Sequence, residues 1–222
     1  MDQRPDRRYP LVRVTLYVEG GGHRAALKAQ LRKGFQNLLV NANFAGRLPK
    51  VVACGPRDRA YQNFKRAVRE GKDFPVLLVD SEVIVQKRHQ PPHASGAWQH
   101  LLSSDHWRQP KEAADDQAQL MVASMETWLV ADRQALRDYF PGLNARRLPP
   151  VERLESRPKE EILQALERST ETSNKGAYKK GEHAFALVGL VDPIKLERRL
   201  PHFRRFVKTL HARLEPSTPM GP

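Results

Sequence analysis

The sequence predicts an α/β fold in which a four-stranded, mainly parallel sheet is flanked by helices and followed by a C-terminal helical extension. Leu11 to Val18 alternates in hydropathy and is rich in Val, Leu and Tyr, as a half-buried strand is. Phe74 to Val79 (FPVLLV) is a continuous apolar run, typical of a strand buried on both faces. Strand and helix patterns alternate between these segments, which predicts parallel strands joined by right-handed crossovers.

The first half of the chain supplies the crossover helices and a second strand. Arg24 to Asn41 has apolar residues at a helical period. Lys50 to Cys54 predicts a short strand that ends before a Gly-Pro pair. Arg57 to Glu70 predicts a charged helix. Gly71 follows it at the position where a glycine commonly ends a helix. Two βα units therefore precede the apolar strand.

Beyond Asp80 the pattern is less regular, and four proline residues divide the chain near its middle. We expect an α/β core over residues 1–140, a connecting loop over 141–158, a helical extension over 159–214 that packs on the core, and a disordered tail over 215–222. The further predicted segments are a loop at Gln86 to Gly96, a short helix at Ala97 to Ser103, a strand at Gln119 to Ala123, helices at Glu126 to Phe140, Lys159 to Ser169, Ala184 to Val191 and Ile194 to Leu214, and a polar loop at Thr170 to Glu182.

Composition narrows the class of partner. The chain has 222 residues and a formal net charge of +13, which is the electrostatic signature of a protein that binds a polyanion. Nucleic acid explains this charge better than a solubility device or an acidic protein partner. The single cysteine, Cys54, excludes an intrachain disulfide framework and a cysteine-rich zinc site. No apolar run approaches the ~20 residues of a membrane span, and the first residues lack the apolar stretch of a signal peptide, so we expect a cytoplasmic protein without membrane contact.

Carboxylates follow two of the predicted strands. Glu19 follows the first strand, and Asp80 and Glu82 follow the apolar strand in VLLVDSE. Parallel strands end at one edge of a sheet, and residues two apart in an extended chain point to the same side. If the two strands are neighbours, three acids meet there, repel one another and need a cation. Hard oxygen ligands with open positions suit Mg²⁺, or Mn²⁺ in its place.

The glycines after Glu19 allow another interpretation. Gly20, Gly22 and Ala25 fit G-x-G-x-x-A after a strand, which is the fingerprint of dinucleotide binding. That mechanism requires an acid at the end of the second strand, where Ala53 and Cys54 stand instead. A diphosphate would also be repelled by Glu19. The fingerprint remains the less favoured interpretation.

The acids resemble those of the Toprim domain, the metal-dependent module of topoisomerases, bacterial primases and OLD-family nucleases. Glu19-Gly20 matches its glutamate after the first strand, and Asp80-x-Glu82 matches its Asp-x-Asp with Glu in the last position. Over roughly Leu11 to Leu210 the chain more closely resembles a bacterial family of uncharacterised proteins, DUF4276, in YVEGGG, LVDSE, DDQAQLMVASMETWLVAD and KGAYKKGEHAF. This resemblance implies a Toprim-like fold, Glu19, Asp80 and Glu82 as metal ligands, and a place in anti-phage defence beside an ATPase.

Further residues are candidates for the same chemistry. Asp116, Gln117 and Glu126 could add to the acidic site, although Glu126 could equally begin a helix, where negative charge is favoured. Basic residues could hold phosphates, and a lysine near the metal could stabilise charge that develops during phosphoryl transfer. These basic candidates are Lys175, Lys179 and Lys180 in the polar loop and Arg198, Arg204 and Arg205 in the last predicted helix. We expect Lys180 to act in catalysis and the others to bind nucleic acid.

Two functions follow from these observations. The favoured one is a Mg²⁺-dependent nuclease that hydrolyses DNA or RNA with Glu19, Asp80, Glu82 and Glu126. The alternative is a Toprim-like subunit that binds nucleic acid or an ATPase partner without cutting. Neither a Walker P-loop nor a G-x-S-x-G elbow is present, so we do not expect ATPase or serine-hydrolase activity in this chain.

Overall fold

The computed structural model describes residues 13–71 and 73–214, and within these ranges the sheet has four strands that all run parallel. This confirms the α/β class and the four-stranded sheet flanked by helices. The strands are β1 Val14–Glu19, β2 Lys50–Gly55, β3 Phe74–Asp80 and β4 Ala118–Met121, in the spatial order β2-β1-β3-β4. The start of the predicted first strand, at Leu11, and the tail predicted to be disordered lie outside the described residues.

Helices connect and cover the strands. They are α1 Ala25–Leu39, α2 Arg57–Glu70, α3 Gly96–Asp105, α4 Glu126–Ala131, α5 Arg133–Tyr139, α6 Lys159–Thr170, α7 Glu182–Val188, α8 Pro193–Arg199 and α9 Pro201–Leu214. The helix α1 continues through a wider turn at Val40–Phe44. Among the described residues, no helix is both long and apolar enough to cross a bilayer.

The sheet is buried on both faces. In β3, Val76 and Leu78 face the helices α1 and α4 to α9, while Leu77 and Val79 face α2 and α3. All four side chains are fully buried. A parallel sheet covered on both sides needs such continuous apolar strands, which is why this run could be recognised in the sequence. The C-terminal helices share one hydrophobic core with α1 and the sheet.

A glycine allows α1 and α7 to approach each other closely. A Cβ atom at Gly34 would lie 2.2 Å from the backbone oxygen of Phe185, a distance that no real Cβ atom tolerates. The helix α7 and the polar loop before it are therefore held against α1. This contact positions the loop beside the C-terminal edge of the sheet.

Two predicted helices are each divided in the structure. The segment from Glu126 to Phe140 breaks at Asp132, which has non-helical dihedral angles and accepts hydrogen bonds from the first backbone N–H groups of α5 as its N-cap. The segment from Ile194 to Leu214 breaks at Leu200, which is extended because Pro201 follows it. The prediction of continuous helices was wrong at both places, and a capping aspartate and a proline marked them in the sequence.

Candidate metal centre

Glu19, Asp80 and Glu82 converge at the carboxyl edge of the sheet. Glu19 and Asp80 are the last residues of β1 and β3, which are neighbours, and Glu82 follows two residues later. Each offers a carboxylate oxygen, and these three atoms lie within 4.8 Å of one another. We call these residues the acidic triad.

Backbone hydrogen bonds hold the acidic triad in place. The β1–β2 register shifts between Val18 and Glu19, a bulge of the kind that re-aims side chains near functional sites. Glu19 Oε2 accepts a hydrogen bond from the Asp80 backbone N–H at 3.2 Å. Asp80 Oδ1 accepts one from the Met125 backbone N–H at 2.9 Å. The carboxylates are thus oriented before any ligand enters.

The glycines after Glu19 form a tight turn that folds over the end of β2. Gly20 and Gly55 exchange backbone hydrogen bonds of 2.9 Å. Gly20 has a φ of 125°, and a Cβ atom there would lie 2.6 Å from Leu31 Cδ1. Only glycine suits this backbone and this approach. Glu19 lines the same cavity as Gly20, so a diphosphate bound at this turn would meet a carboxylate.

Two cations contact the acidic triad, and the sequence analysis missed both. Arg57 Nη1 lies 3.4 Å from Glu19 Oε2 and also donates to the Asp80 backbone oxygen, while its Nε and Nη2 donate to Asp105 at 2.8 Å each. Lys159 Nζ lies 2.7 Å from Glu82 Oε2 and 3.5 Å from Asp80 Oδ2. Arg57 could have been found, because it begins the helix after β2 at the same sheet edge. Lys159 carries no such signal, because it comes from the distant helix α6.

Burial and mutual repulsion disfavour ionisation of Asp80 and Glu19. Burial raises the pKa of Asp80 to about 8, and the charges of Glu19 and Glu126 act in the same direction. Burial also raises the pKa of Glu19, against the opposing charge of Arg57. The pKa of Lys159 is raised although burial alone would lower it, because its hydrogen bond with Glu82 and the charge of Asp80 favour the ammonium form. A pocket with these properties favours a bound cation.

Glu126 is a fourth carboxylate beside the acidic triad and is more deeply buried. It is the first residue of α4 and is fully buried. Its Oε1 accepts a hydrogen bond of 2.9 Å from the Tyr178 hydroxyl, and its Oε2 has no partner among the described residues. The neighbouring carboxylate and burial raise the pKa of Tyr178, so the hydroxyl remains a donor. A buried carboxylate with one neutral partner is a second indication that a cation belongs here.

An open cavity of about 220 Å³ joins these groups. The triad members Glu19 and Asp80 line it together with Glu126, Lys180 and Gly181. The remaining lining residues are Gly20, Gly21, Gly22, Leu27, Met121, Met125 and Phe185. Of the three lysines predicted to act from the polar loop, Lys180 lines this cavity, and Lys175 and Lys179 do not. The site thus combines carboxylates, one exposed lysine and an apolar wall.

Asp116 and Gln117, which the sequence offered as additions to the acidic site, have partners elsewhere in the fold. Asp116 pairs with Arg213 at 2.8 Å, and Gln117 donates to the backbone oxygen of Pro75 near the start of β3. Both residues therefore lie at the opposite edge of the sheet, and their assignment to the acidic site was wrong. Both residues precede β4, and because β4 runs parallel to β3 its start lies at the edge of the sheet opposite the acidic triad.

Two of the expected nucleic-acid contacts are structural. Arg205 donates to the backbone oxygens of Ala94, Ala118 and Asp115 and to the Gln119 side chain. Arg204 donates to backbone oxygens of Glu197 and Arg198 at the end of α8. Both guanidinium groups are therefore committed within the fold, which corrects their assignment as free contacts. Lys175, Lys179 and Arg198 are exposed, and Lys175 lies over the Tyr139 ring at 3.7 Å from its centroid.

The fold and the site together define a protein with a cluster of carboxylates at the carboxyl edge of a parallel α/β sheet. The chain belongs to the DUF4276 family, a domain of unknown function whose family model matches residues 18–211. No curated protein and no solved structure matches the chain.

Proposed function

We propose that this protein is a Mg²⁺- or Mn²⁺-dependent phosphodiesterase that acts on nucleic acid in the cytoplasm. The observation that carries the proposal is the acidic triad, whose carboxylate oxygens lie within 4.8 Å of one another at the ends of two neighbouring strands. The net charge of +13 supports a polyanionic substrate.

The donor set fits a hard divalent cation. Mg²⁺ binds oxygen ligands at about 2.1 Å, so oxygens on one ion lie at most about 4.2 Å apart, slightly closer than in the triad. Glu19, Asp80 and Glu82 would hold the ion after small side-chain movements, and Glu126 Oε2 is a further oxygen without a partner among the described residues. Arg57 and Lys159 cannot neutralise all four carboxylates, because Arg57 also binds Asp105. Bound metal would polarise the scissile phosphate and lower the pKa of a bound water.

The residues of the chain have separate tasks in this reaction. Arg57 holds Glu19 and the end of β3 at a fixed separation. Tyr178 orients Glu126. Lys180, exposed at the cavity, would donate to a phosphate oxygen and stabilise the negative charge that develops there. Lys175, Lys179 and Arg198 would contact the nucleic-acid backbone at a distance from the bond that is cut.

The test is cleavage of single- and double-stranded DNA and RNA with Mg²⁺ or Mn²⁺. We expect Glu19→Gln to lose metal-dependent cleavage and Glu112→Gln, a change at an exposed carboxylate, to retain it. Thermal unfolding of both variants shows whether each is folded. Equal cleavage by the wild type and Glu19→Gln would refute the assignment of this site.

One observation favours a second function. The ion pair between Lys159 and Glu82, at 2.7 Å, neutralises part of the triad without a metal. The alternative is therefore a non-catalytic subunit that binds nucleic acid, or an ATPase partner in anti-phage defence. Salt-sensitive nucleic-acid binding without cleavage in any metal, alone or with an ATPase partner, would support this function, and reproducible metal-dependent cleavage would exclude it.

A further inference from the structure

A second concave site lies at the junction of α5 and α8, apart from the acidic triad. It has a volume of about 460 Å³ and is formed with residues Pro150 and Val151 of the connecting segment. Its charged lining consists of Arg133, Arg137, Lys195, Arg199, Asp132 and Glu152. We call it the basic pocket.

The nearest carboxylate of the basic pocket is already committed. Asp132 accepts hydrogen bonds from Lys195 Nζ at 2.8 Å and from the Asp192 backbone N–H at 2.9 Å. It also accepts the backbone N–H of Gln134 at 3.2 Å as the N-cap of α5. Its charge is therefore neutralised by Lys195, and the exposed Glu152 is left to face three arginines.

Backbone carbonyl groups hold two of the arginines in position, and Glu152 is the carboxylate left to face the three guanidinium charges. Arg133 donates to the Pro149 backbone oxygen, and Arg199 donates to the Ala131 backbone oxygen. In the described ranges, Arg133 Nε is buried without an acceptor and the Arg137 side chain has no acceptor. Burial lowers the pKa of Arg133, the charges of Arg137 and Arg199 act in the same direction, and the charge of Glu152 opposes them.

We propose that the basic pocket binds a phosphate group, carried either by a free nucleotide or by the backbone of a nucleic acid. Several arginines around one concavity present planar forks of donors that match phosphate oxygens. A dianion would relieve the repulsion among the guanidinium groups that line the pocket. The site requires neither a metal nor the acidic triad.

The test is binding of inorganic pyrophosphate in EDTA, measured by titration calorimetry. The variant is Arg137→Glu, and the matched control is Arg146→Glu, which makes the same charge change at an exposed arginine outside the pocket. We expect Arg137→Glu to weaken binding about tenfold, which corresponds to about 1.4 kcal/mol, and Arg137→Gln to have a smaller effect. The control should retain affinity within about twofold, because Arg146 lies outside the basic pocket and does not contact a ligand bound there. Thermal unfolding confirms that each variant is folded.

The source of the phosphate is separated by two further titrations, of metal-free ATP and of a labelled oligonucleotide. The ligand whose affinity falls more in Arg137→Glu than in Arg146→Glu is the one that binds in the basic pocket. Equal effects of the two variants on all three ligands would overturn the proposal, because they would show only general charge attraction. No binding of any of them at millimolar concentration would overturn it as well. Loss of cleavage in Glu19→Gln with unchanged pyrophosphate affinity would separate this site from the acidic triad.

Discussion

Replacing Asp80 by Asn should make the metal-free protein less sensitive to pH. The pKa of Asp80 is about 8 in the folded protein, whereas the ordinary pKa of an aspartate is 3.8. Between these values the folded state binds a proton that the unfolded state has lost, so the stability of the wild type falls as pH rises through this window. Asn cannot ionise, and its side-chain oxygen can still accept the hydrogen bond from the Met125 backbone N–H.

The size of this effect follows from the width of the window. Each pH unit between the two pKa values changes the free energy of unfolding by about 1.36 kcal/mol. The difference in stability between Asp80→Asn and the wild type should therefore grow by roughly 3 kcal/mol from pH 5 to pH 7, in favour of the variant. Urea unfolding in EDTA measures it, and Glu112→Gln serves as the control whose difference from the wild type should stay constant.

Metal addition should act in the opposite direction and offset most of this difference. At a Mg²⁺ concentration 100 times the dissociation constant, the wild type should gain about 2.7 kcal/mol of stability, and Asp80→Asn should gain much less. A stability difference in EDTA that does not change between pH 5 and pH 7 would refute the reasoning. Asp80 would then already be ionised at pH 5, and the electrostatic argument for a cation would lose its main support.

Three further predictions concern groups that support the site. Arg205→Ala should lower the free energy of unfolding by about 2 kcal/mol, because loss of the half-buried guanidinium leaves several backbone oxygens without a donor, and should leave the salt dependence of nucleic-acid binding unchanged; urea unfolding and fluorescence anisotropy test both parts. Gly34→Ala should cost roughly 2 kcal/mol through its clash with Phe185, and a melting temperature equal to that of the wild type would contradict the close contact. Tyr178→Phe should cost about 2 kcal/mol, because Glu126 loses its hydrogen-bond donor, and Mg²⁺ should restore part of this loss in thermal unfolding if the cation lies next to Glu126.

The sheet and the triad could be predicted from the sequence because both depend on local signals. A run such as Phe74 to Val79 requires two covered faces, and parallel strands bring their ends to one edge. Glu19 and Asp80 could therefore be placed together without any knowledge of distances. What the pattern left open was whether β1 and β3 are neighbours, and the structure shows that they are.

The cations of the site could not be predicted in the same way. Lys159 reaches Glu82 from 77 residues further along the chain, and nothing in its own neighbourhood marks it. Arg205 was predicted to contact nucleic acid and instead binds groups within the fold. The sequence could not show this, because an exposed and a buried arginine look the same in an amphipathic helix pattern. Its commitment to carbonyl groups depends on how α9 packs against β4, which is a tertiary contact. Long-range pairing of charges is thus the part of the site that local reasoning misses.

The net charge of the whole protein and the charge of the groups in the cavity have opposite signs, and they act over different distances. At long range a net charge of +13 attracts a polyanion to the whole surface. At short range the cavity is lined by the carboxyl groups of Glu19, Asp80 and Glu126, so a phosphate that enters without a metal would meet acidic groups. A divalent cation removes this conflict, because it satisfies the carboxylates and presents positive charge to the phosphate that the surface has attracted. Binding without metal should therefore use the basic surface, and only metal-loaded protein should bring a phosphate to the acidic triad.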